Sequence, residues 1–513
     1  MQTAFLPPPN SQQLVVGLVG CGVMGRGIAQ LAALAGAQVR LCDSREGAAG
    51  TARQELLATF GKLSEKGKLD QTAAAAAADR LQVCDRLEDL AGCHVIVEAI
   101  VEDLAVKKAL FSNLESIAGP DAILATNTSS LPVTAIAAGL QHPERVAGFH
   151  FFNPVPLMKI VEVIGGFLTR PEITDYLLAL GRHWGHNAVR AKDTPGFIVN
   201  HAGRGYGTEG LRVLAEGIAS VPVLDNILRD TAGFRLGPCE LLDLTGLDVS
   251  HPVMESIYHQ YYEEPRFRPQ VNTRQMLTAG ALGKKVGHGF YRYGADGKKE
   301  AIAEPAQATQ LPTSVWLSHD RPELAERIAV LISAAGIPIE TSARPSDSAL
   351  CLVTPLGEDA TTCCAREDLD GRRTVGVESL FDASRRRVVM TTPATTSDYL
   401  AMACGLFGAT GVPVSVIRDS AGMVTQRVVA HIINIACEIA QQDIADSLDI
   451  DRAVTLGLGY PLGPLAWGDA LGPTTVLAIL KNLEQQTGDP RYRPSPWLQR
   501  RALLGLSLLH KEI

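Results

Sequence analysis

The chain has 513 residues, 46% of them hydrophobic and 20% charged, which is the composition of an ordinary globular protein with several domains. Its formal net charge of −8, without a long basic block, argues against a nucleic-acid partner. The first residues lack a signal peptide's basic end and apolar core, and no apolar run reaches the ~18 residues of a membrane span. The ten cysteines form no C-x-x-C pair and no metal-like grouping. We therefore expect reduced thiols, no bound metal, no membrane contact and a cytoplasmic protein.

Short apolar runs alternate with helical patterns over about the first 190 residues, which is typical of a parallel sheet covered by helices. Residues 194–197 interrupt this pattern, and helical periodicity then continues to about residue 282. The predicted strands are 14–19, 38–42, 94–97, 122–125, 146–151 and 159–164.

The most specific motif is a G-x-G-x-x-G turn, Gly20-Cys21-Gly22-Val23-Met24-Gly25, between the first predicted strand and a helical stretch. In such turns the first glycine permits the tight bend, the second lets the backbone approach a pyrophosphate, and the third lets helix and strand pack. The next apolar run ends at Asp43, close to the spacing of about 20 residues at which a carboxylate binds ribose hydroxyls. Because an acid there repels a 2′-phosphate, the sequence predicts NAD as the cofactor rather than NADP.

The second notable feature is an internal repeat with a nearly constant spacing. Residues 193–196 recur as 419–422, 233–238 recur as 459–464, and 265–269 recur as 490–494. We therefore predict an α/β Rossmann-type domain followed by an all-α domain, with the pair duplicated. Apolar runs near Val315, Cys351, Val375, Val388 and Val414 belong to the second α/β copy, which has no glycine-rich phosphate loop and is predicted to be degenerate. The predicted domains are an N-terminal tail (1–12), a Rossmann NAD-binding domain (13–192), a helical domain (193–293), a linker (294–312), a degenerate α/β domain (313–417) and a second helical domain (418–513).

Two polar clusters follow predicted strands in the first half. Residues 95–103 run from a buried strand into Glu98 and Glu102, and Lys107 follows on the next helix. Residues 126–130 place hydroxyl side chains around Asn127 at another strand end, where α/β proteins bind ligands. An acidic first helical turn, a solvated lysine and a helix cap are the simpler structural explanations.

A third cluster contains a candidate acid–base pair. Period-2 alternation puts Glu162 on the same face as Ile160 and Ile164, where a carboxylate needs a partner. A hairpin-like return between the strands would bring it to His150. A carboxylate beside an imidazole base fixes the tautomer and stabilises the imidazolium. A structural histidine and an edge-strand glutamate remain the alternative at this point.

Together these segments resemble the L-3-hydroxyacyl-CoA dehydrogenase family over about residues 13–293. The extra C-terminal unit resembles the long bacterial form found with phenylacetate degradation, which acts on 3-hydroxyadipyl-CoA. The resemblance implies NAD-dependent oxidation of the 3-hydroxyl of a (3S)-3-hydroxyacyl-CoA to the 3-oxoacyl-CoA. It is carried by residues 20–25, Asp43, 97–102, 127–130, 150–156, 193–200 and 283–285.

The resemblance also implies roles for individual residues. His150 would be the general base, Glu162 would orient it, and Ser129 and Asn200 would hold the substrate oxygen and the imidazole in register. The implied cofactor-side residues are Gly20, Gly22, Val23, Met24, Gly25, Asp43, Glu102, Lys107, Asn127, Ser129, Asn153 and Lys285. The implied substrate-side residues are Thr59, Lys66, Ser129 and Asn200.

Two departures from the family pattern bear on specificity and site number. Asn200 is followed by a glycine-rich stretch, residues 201–207, from which we expect a pocket for a longer or polar acyl tail, with Arg204 or Arg235 meeting a distal carboxylate. In the second repeat, Glu378 stands at the position of His150 and Gln426 at that of Asn200. We therefore expect one active site per chain and a structural second unit.

Several alternatives stay open from the sequence. The enzyme could act on 3-hydroxybutyryl-CoA or serve general β-oxidation, and a non-catalytic NAD-binding protein could be built on the same fold. A β-hydroxyacid dehydrogenase with a catalytic lysine fits the segment 150–154 less well, and a hydratase fusion is disfavoured because the repeat accounts for the rest of the chain. The expected partner is an acyl-CoA substrate, and a homo-oligomer is left open.

Overall fold

The computed structural model of the chain describes residues 6–303 and 308–512. They form two compact units, the first ending at His201 but including Gln442–Leu458, and the second containing Ala202–Gln441 and the chain from Gly459 onward. All ten cysteines are free thiols and nine are buried, as the sequence predicts. No helix in the described ranges combines the length and apolar character that a bilayer crossing needs.

The first unit is built on an eight-stranded sheet in the order β3-β2-β1-β4-β5-β6-β7-β8. Neighbouring strands are parallel except β6 and β7, which are antiparallel. The central strands are buried apolar runs, as expected for a sheet covered on both faces. The strands are β1 (Val15–Val19), β2 (Gln38–Cys42), β3 (Leu81–Cys84), β4 (Val95–Glu98), β5 (Ile123–Thr126), β6 (Val146–Phe151), β7 (Ile160–Gly165) and β8 (Asn187–Lys192).

All six strands predicted for this unit are confirmed, with ends that differ by a residue or two. The structure adds β3 and β8, which the sequence did not predict. β3 has only four residues, and two of them face solvent, so its apolar signal is weak. β8 is interrupted by the exposed Arg190 and Lys192.

Six helices connect these strands: α1 (Val23–Leu34), α2 (Ala48–Glu65), α3 (Gln71–Asp79), α4 (Leu104–Ile117), α5 (Val133–Ala137) and α6 (Pro171–His183). α1 begins directly after β1, so the N-terminus of α1 lies at the carboxyl end of the sheet, where parallel α/β proteins place their ligands. The core of this unit contains Leu18, Val97, Ile123, Phe149 and Val163.

The second unit contains a six-stranded sheet in the order β10-β9-β11-β12-β13-β14, parallel except between β12 and β13. The five apolar runs predicted here are all strands, while the two-residue β10 was too short to predict. The strands are β9 (Val315–Leu317), β10 (Ile339–Glu340), β11 (Leu350–Val353), β12 (Thr374–Val377), β13 (Arg387–Thr391) and β14 (Val414–Ile417).

Most of the remaining helices belong to the second unit. The exceptions are α7 (Val199–Ala215), which begins in the first unit, and α16 (Ser447–Leu458), which belongs to the first unit. Close helix packing explains one glycine of the stretch 201–207: a Cβ added to Gly205 would lie 3.0 Å from Ile435 Cδ1 and 3.4 Å from Ile432 Cα. The helices are α7 (Val199–Ala215), α8 (Val221–Ala232), α9 (Pro238–Thr245), α10 (Leu247–Gln260), α11 (Val271–Thr278), α12 (Pro322–Ala334), α13 (Ala360–Arg366), α14 (Ser397–Gly408), α15 (Thr425–Gln441), α16 (Ser447–Leu458), α17 (Pro464–Leu471), α18 (Pro473–Thr487) and α19 (Pro496–Leu504).

Candidate active site

The glycine-rich turn joins β1 to α1 and borders a cleft of about 710 Å³. Gly20 has φ +96°, and a Cβ on Gly25 would lie 1.9 Å from the Gly20 carbonyl oxygen, so both positions require glycine. A Cβ on Gly22 would meet no atom within 4 Å, and within the described residues no side chain caps α1. The first-turn N–H groups of α1 are therefore available to an anion such as a pyrophosphate.

Asp43 lies at the end of β2 and lines the same cleft as Gly20 and Gly22. Its Oδ2 accepts a hydrogen bond from the Cys21 amide at 2.8 Å, and its Oδ1 accepts from the Arg45 amide at 3.0 Å and from the Arg45 side chain at 3.3 Å. Burial opposes ionisation of Asp43, but these donors outweigh it and lower its pKa. The cleft thus presents a fixed carboxylate at the position predicted to bind ribose.

The loop after β5 is held by Glu102. Its Oε1 accepts hydrogen bonds from the Thr128 hydroxyl at 2.7 Å, the Ser129 amide at 2.9 Å and the Ser130 hydroxyl at 3.0 Å. Lys107 Nζ lies 3.2 Å from Glu102 Oε2. The structure thus brings together Glu102, Lys107 and Ser129, three of the predicted site residues.

His150 and Glu162 face each other across the antiparallel pair β6 and β7, as the predicted hairpin-like return requires. Nδ1 of His150 lies 2.7 Å from Glu162 Oε2, and both side chains are buried. Because an ionised carboxylate only accepts hydrogen bonds, this contact selects the neutral imidazole tautomer that has its proton on Nδ1 and its lone pair on Nε2. Phe152 and Phe197 flank the imidazole, with ring centroids 4.3 and 5.8 Å away.

The other oxygen of Glu162 binds the start of α7. Oε1 accepts hydrogen bonds from the Ile198 and Val199 amides, each at 2.9 Å. The carboxylate therefore satisfies two N–H groups that a helix start leaves without intrahelical partners, while it also contacts the imidazole. The sequence predicted the contact of Glu162 with the imidazole but not its contact with the start of α7.

Asn200 and Asn127 fix the surroundings of this pair. Asn200 Nδ2 donates to the Ser129 carbonyl at 3.3 Å, and Asn127 Oδ1 accepts from the Phe151 amide at 2.8 Å. The predicted residues Ser129, Asn127 and Asn200 therefore lie on the segments that border His150.

Two predicted substrate-side residues, Thr59 and Lys66, and the predicted cofactor-side residue Asn153 lie at a second cleft or at the surface. Thr59 and Asn153 line a second cleft of about 210 Å³, together with Arg26 and Glu55, which form an ion pair. Lys66 is exposed at the end of α2.

Three predicted residues lie in the second unit. Lys285 is exposed and its ammonium contacts Asp248. Arg235 is exposed, whereas Arg204 is partly buried on α7, and burial lowers the pKa of Arg204 to about 10.

In the second sheet, the positions predicted to correspond to the acid–base pair are occupied by other residues. Glu378 follows β12, and its amide donates to the Val388 carbonyl on β13, so valine stands where the first sheet has Glu162. Gln426 Nε2 donates to Glu378 Oε1 and to the Pro355 carbonyl, both at 3.0 Å. Glu378 and Gln426, the residues predicted to stand at the positions of His150 and Asn200, are thus in contact with each other.

Glu98 is a residue whose role sequence reasoning missed. It is fully buried at the end of β4, and its Oε1 lies 2.5 Å from Lys107 Nζ. A carboxylate at the end of a run of buried apolar residues was the available signal, because such a group needs a partner. Within the described residues, no group of three His, Cys, Asp or Glu side chains could hold a metal ion.

Comparison with known proteins identifies the family. The model of the 3-hydroxyacyl-CoA dehydrogenase NAD binding domain matches residues 15–194, and the C-terminal domain model of the same family matches residues 196–293 and 422–507. The chain belongs to the 3-hydroxyacyl-CoA dehydrogenase family. It is an NAD-dependent oxidoreductase.

The relatives come in two lengths. The chain is 36% identical over 489 residues to 3-hydroxyadipyl-CoA dehydrogenase of Escherichia coli (strain K12), covering 95% of this chain and 97% of that protein. It is 39% identical over 276 residues to the probable 3-hydroxybutyryl-CoA dehydrogenase of Bacillus subtilis (strain 168), covering 54% of this chain and 96% of that protein. A crystal structure of 3-hydroxybutyryl-CoA dehydrogenase from E. coli K12 superposes with a TM-score of 0.84 at 36% identity, covering 96% of this chain and 98% of that one.

Proposed function

We propose that this enzyme oxidises the 3-hydroxyl of a (3S)-3-hydroxyacyl-CoA to a ketone, with His150 as the general base. The buried His150–Glu162 pair carries the proposal, because its 2.7 Å contact leaves Nε2 as the proton acceptor. The pair lies in the same unit as the cleft bordered by the glycine-rich turn. NAD binding alone does not require a buried, oriented base.

In the proposed reaction, His150 Nε2 takes the proton of the 3-hydroxyl while the hydrogen on the same carbon leaves as hydride. NAD, when bound, supplies the hydride acceptor. Glu162 stabilises the imidazolium that forms and keeps it in register. Ser129 and Asn200, which bond to each other through the Ser129 carbonyl, would hold the substrate oxygen beside the imidazole. The cofactor side would be formed by the glycine-rich turn, Asp43 and Glu102.

The proposed substrate is 3-hydroxyadipyl-CoA. Two observations support it: the similarity over nearly the whole chain to a protein of that name, and a partly buried arginine, Arg204, next to the proposed asparagine Asn200 on α7. A 3-hydroxybutyryl-CoA preference is the competing candidate, since a similar solved structure has that name.

Steady-state NAD reduction with both substrates tests this proposal. We expect kcat/KM for 3-hydroxyadipyl-CoA to exceed that for 3-hydroxybutyryl-CoA by about 10- to 100-fold, the effect of one hydrogen bond to a charged group. Arg204→Met should abolish this preference while leaving butyryl turnover close to wild type, and Arg235→Met should keep it. A wild-type preference for the butyryl substrate would overturn the adipyl assignment.

Asp43 should set the cofactor preference. Asp43→Ser is expected to raise the KM for NAD about 10-fold or more by removing a charged acceptor for the ribose hydroxyls. It also frees Arg45, which lines the same cleft, to meet a 2′-phosphate, so NADP turnover should rise. The double variant Asp43→Ser, Arg45→Ala is the matched control and should lose the gain with NADP. Unchanged NAD kinetics in Asp43→Ser would contradict this role.

We infer that the second half is a duplicate of the first that has lost its site. α7, α8, α9 and α10 begin 226 residues before α15, α16, α17 and α18 (Val199 and Thr425 for the first pair). Asp193 caps α5 through the Val133 and Thr134 amides, and Asp419 caps α13 through the Ala360 and Thr361 amides.

The boundaries of the six predicted domains, the cytoplasmic location and the state of assembly stay predictions.

Reciprocal backbone contacts support the same inference. The Lys192 amide at the end of β8 donates to the Ile444 carbonyl at 2.9 Å, and the Arg418 amide after β14 donates to the Ile218 carbonyl at 3.0 Å. The edge strand β8 thus contacts the loop before α16, and the edge strand β14 contacts the loop before α8, so each edge pairs with a loop of the other repeat. This exchange gives the second half a structural role that needs no chemistry of its own.

Cofactor stoichiometry provides the test. Isothermal titration with NADH should give one site per chain, because Glu378 and Gln426 replace the base and the asparagine and the second half has no glycine-rich turn. Asp43→Ser should weaken this single site. Two sites of comparable affinity would show that the second half still binds the cofactor.

A further inference from the structure

A buried ion pair ties the end of β4 to α4. Glu98 has none of its surface exposed and Lys107 has 1%, and Lys107 Nζ lies 2.5 Å from Glu98 Oε1. The Ile100 amide donates to the same oxygen at 2.7 Å, and the Thr126 hydroxyl donates to Oε2 at 2.7 Å. Both oxygens of Glu98 are therefore hydrogen-bonded by groups from three segments.

Stability alone does not account for these two charges. Transfer of a carboxylate and an ammonium out of water costs several kcal/mol per ion, and an apolar pair of similar size is often equally stable. The charges do allow a shared contact, because an ammonium has three N–H donors and can bind two carboxylates at once. Lys107 uses this property to reach a second carboxylate, Glu102, at 3.2 Å.

Glu102 is the partly exposed end of this chain of contacts. Its side chain is 36% exposed, while that of Lys107 is 1% exposed. Burial would raise the pKa of Glu102, but Lys107 and the donors of residues 128–130 outweigh it and lower the pKa. The Glu102 carboxylate is thus held charged between the buried lysine and the loop that contains Ser129.

We infer that Glu98 is a positioning residue: it holds Lys107, and through Lys107 it holds Glu102 and the loop 128–130 in the geometry that NAD binding and hydride transfer require. This inference rests on the proposed function and extends it to a buried side chain that contacts neither reactant. Lys107 belongs to the same arrangement, with its ammonium between two carboxylates.

Glu98→Gln tests the inference in the full chain. The amide keeps the shape and the Thr126 contact but removes the charge that holds Lys107. We expect the Kd for NADH, measured by fluorescence titration, to rise about 10-fold, and kcat to fall by up to about 10²-fold, as for an ångström-scale misplacement of reacting groups. The KM for the acyl-CoA should change much less than kcat.

The double variant Glu98→Gln, Lys107→Met separates position from stability. Removal of both charges should restore the melting temperature toward wild type, while kcat stays at or below the value of the single variant. Glu115→Gln is the matched control, because Glu115 also lies on α4 and accepts from the Gln141 and His142 amides. It should leave kcat and NADH affinity unchanged.

Two outcomes would overturn the inference. One is a Glu98→Gln enzyme with wild-type kcat and wild-type NADH affinity, and the other is a lower melting temperature with unchanged kcat per folded molecule. Failure of the proposed function looks different, since the wild type would then bind NADH but oxidise no 3-hydroxyacyl-CoA. The NADH affinity of Glu98→Gln would still decide the role of Glu98 in that case.

Discussion

His150→Gln is expected to lower kcat about 10²- to 10⁴-fold, the usual contribution of a positioned general base. Glutamine fills similar space and can still bond to Glu162, but its side chain cannot take a proton at neutral pH. The KM for NAD and the Kd for NADH should stay near wild type, because His150 does not line the cleft bordered by Gly20 and Asp43. Stopped-flow measurement of NADH formation under single-turnover conditions gives the chemical step directly.

His142→Gln is the matched control for this experiment. His142 is exposed and lies 3.3 Å from Glu144, outside the proposed site, so its replacement should leave kcat unchanged. Glu162→Gln should lower kcat as well, because an amide at this position disturbs both the tautomer of His150 and the start of α7. A His150→Gln enzyme that keeps a tenth or more of wild-type kcat would exclude His150 as the base.

Glu209→Leu is expected to reduce the free energy of unfolding by about 3–5 kcal/mol, the cost of leaving buried charges without a partner. Glu209 lies on α7 with none of its surface exposed, and its Oε1 is 2.6 Å from Arg427 Nε and 2.5 Å from the Tyr492 hydroxyl. Arg491 Nε lies 3.1 Å from the other oxygen. Without the carboxylate, the buried Arg491 would lose this ion pair and Arg427 would keep only its ion pair with Glu216.

Urea unfolding monitored by tryptophan fluorescence measures this effect. Arg344→Ala removes an exposed ion pair with Asp368 in the same unit and serves as the control, with an expected change of about 0–1 kcal/mol. A loss below 1 kcal/mol in Glu209→Leu would show that Glu216 and solvent compensate the two arginines.

The pH dependence of this effect has a definite sign. Burial would raise the pKa of Glu209, but Arg491 and Arg427 outweigh it and hold the pKa well below its usual range. A carboxylate whose pKa is lower in the folded state stabilises the protein above its unfolded pKa of about 4.3, and this contribution is lost as the pH falls. The difference in unfolding free energy between wild type and Glu209→Leu should therefore shrink between about pH 5 and pH 3.

Most of the first sheet could be predicted because its strands are apolar runs bounded by turn residues. The run 159–164 shows why: its alternation placed Glu162 correctly on a buried face, and its partner followed from the turn after β6. β3 and β8 were missed because four residues, or a run broken by charges, carry too little periodicity. The end of β8 is also paired with a segment far along the chain, since the Lys192 amide donates to the Ile444 carbonyl.

The candidate site was only partly predictable for a similar reason. Motif spacing pointed to Asp43 and His150, whose partners are close in sequence or in the strand register. Outside the site, the contacts of Glu209 with Arg427 and Arg491 join residues more than 200 positions apart, and no local pattern signals them. Glu98 is intermediate: a partner was to be expected for a buried carboxylate, but the choice of Lys107 depends on how α4 returns over β4.

Glu162 aligns the proposed base with one oxygen and holds the start of α7 with the other. A substitution of Glu162 therefore disturbs the proposed base and the anchoring of α7 together. In the second sheet, Val388 pairs with Glu378, and Glu378 instead accepts a hydrogen bond from Gln426 on α15. Mutational tolerance at position 162 should accordingly be far narrower than at position 388.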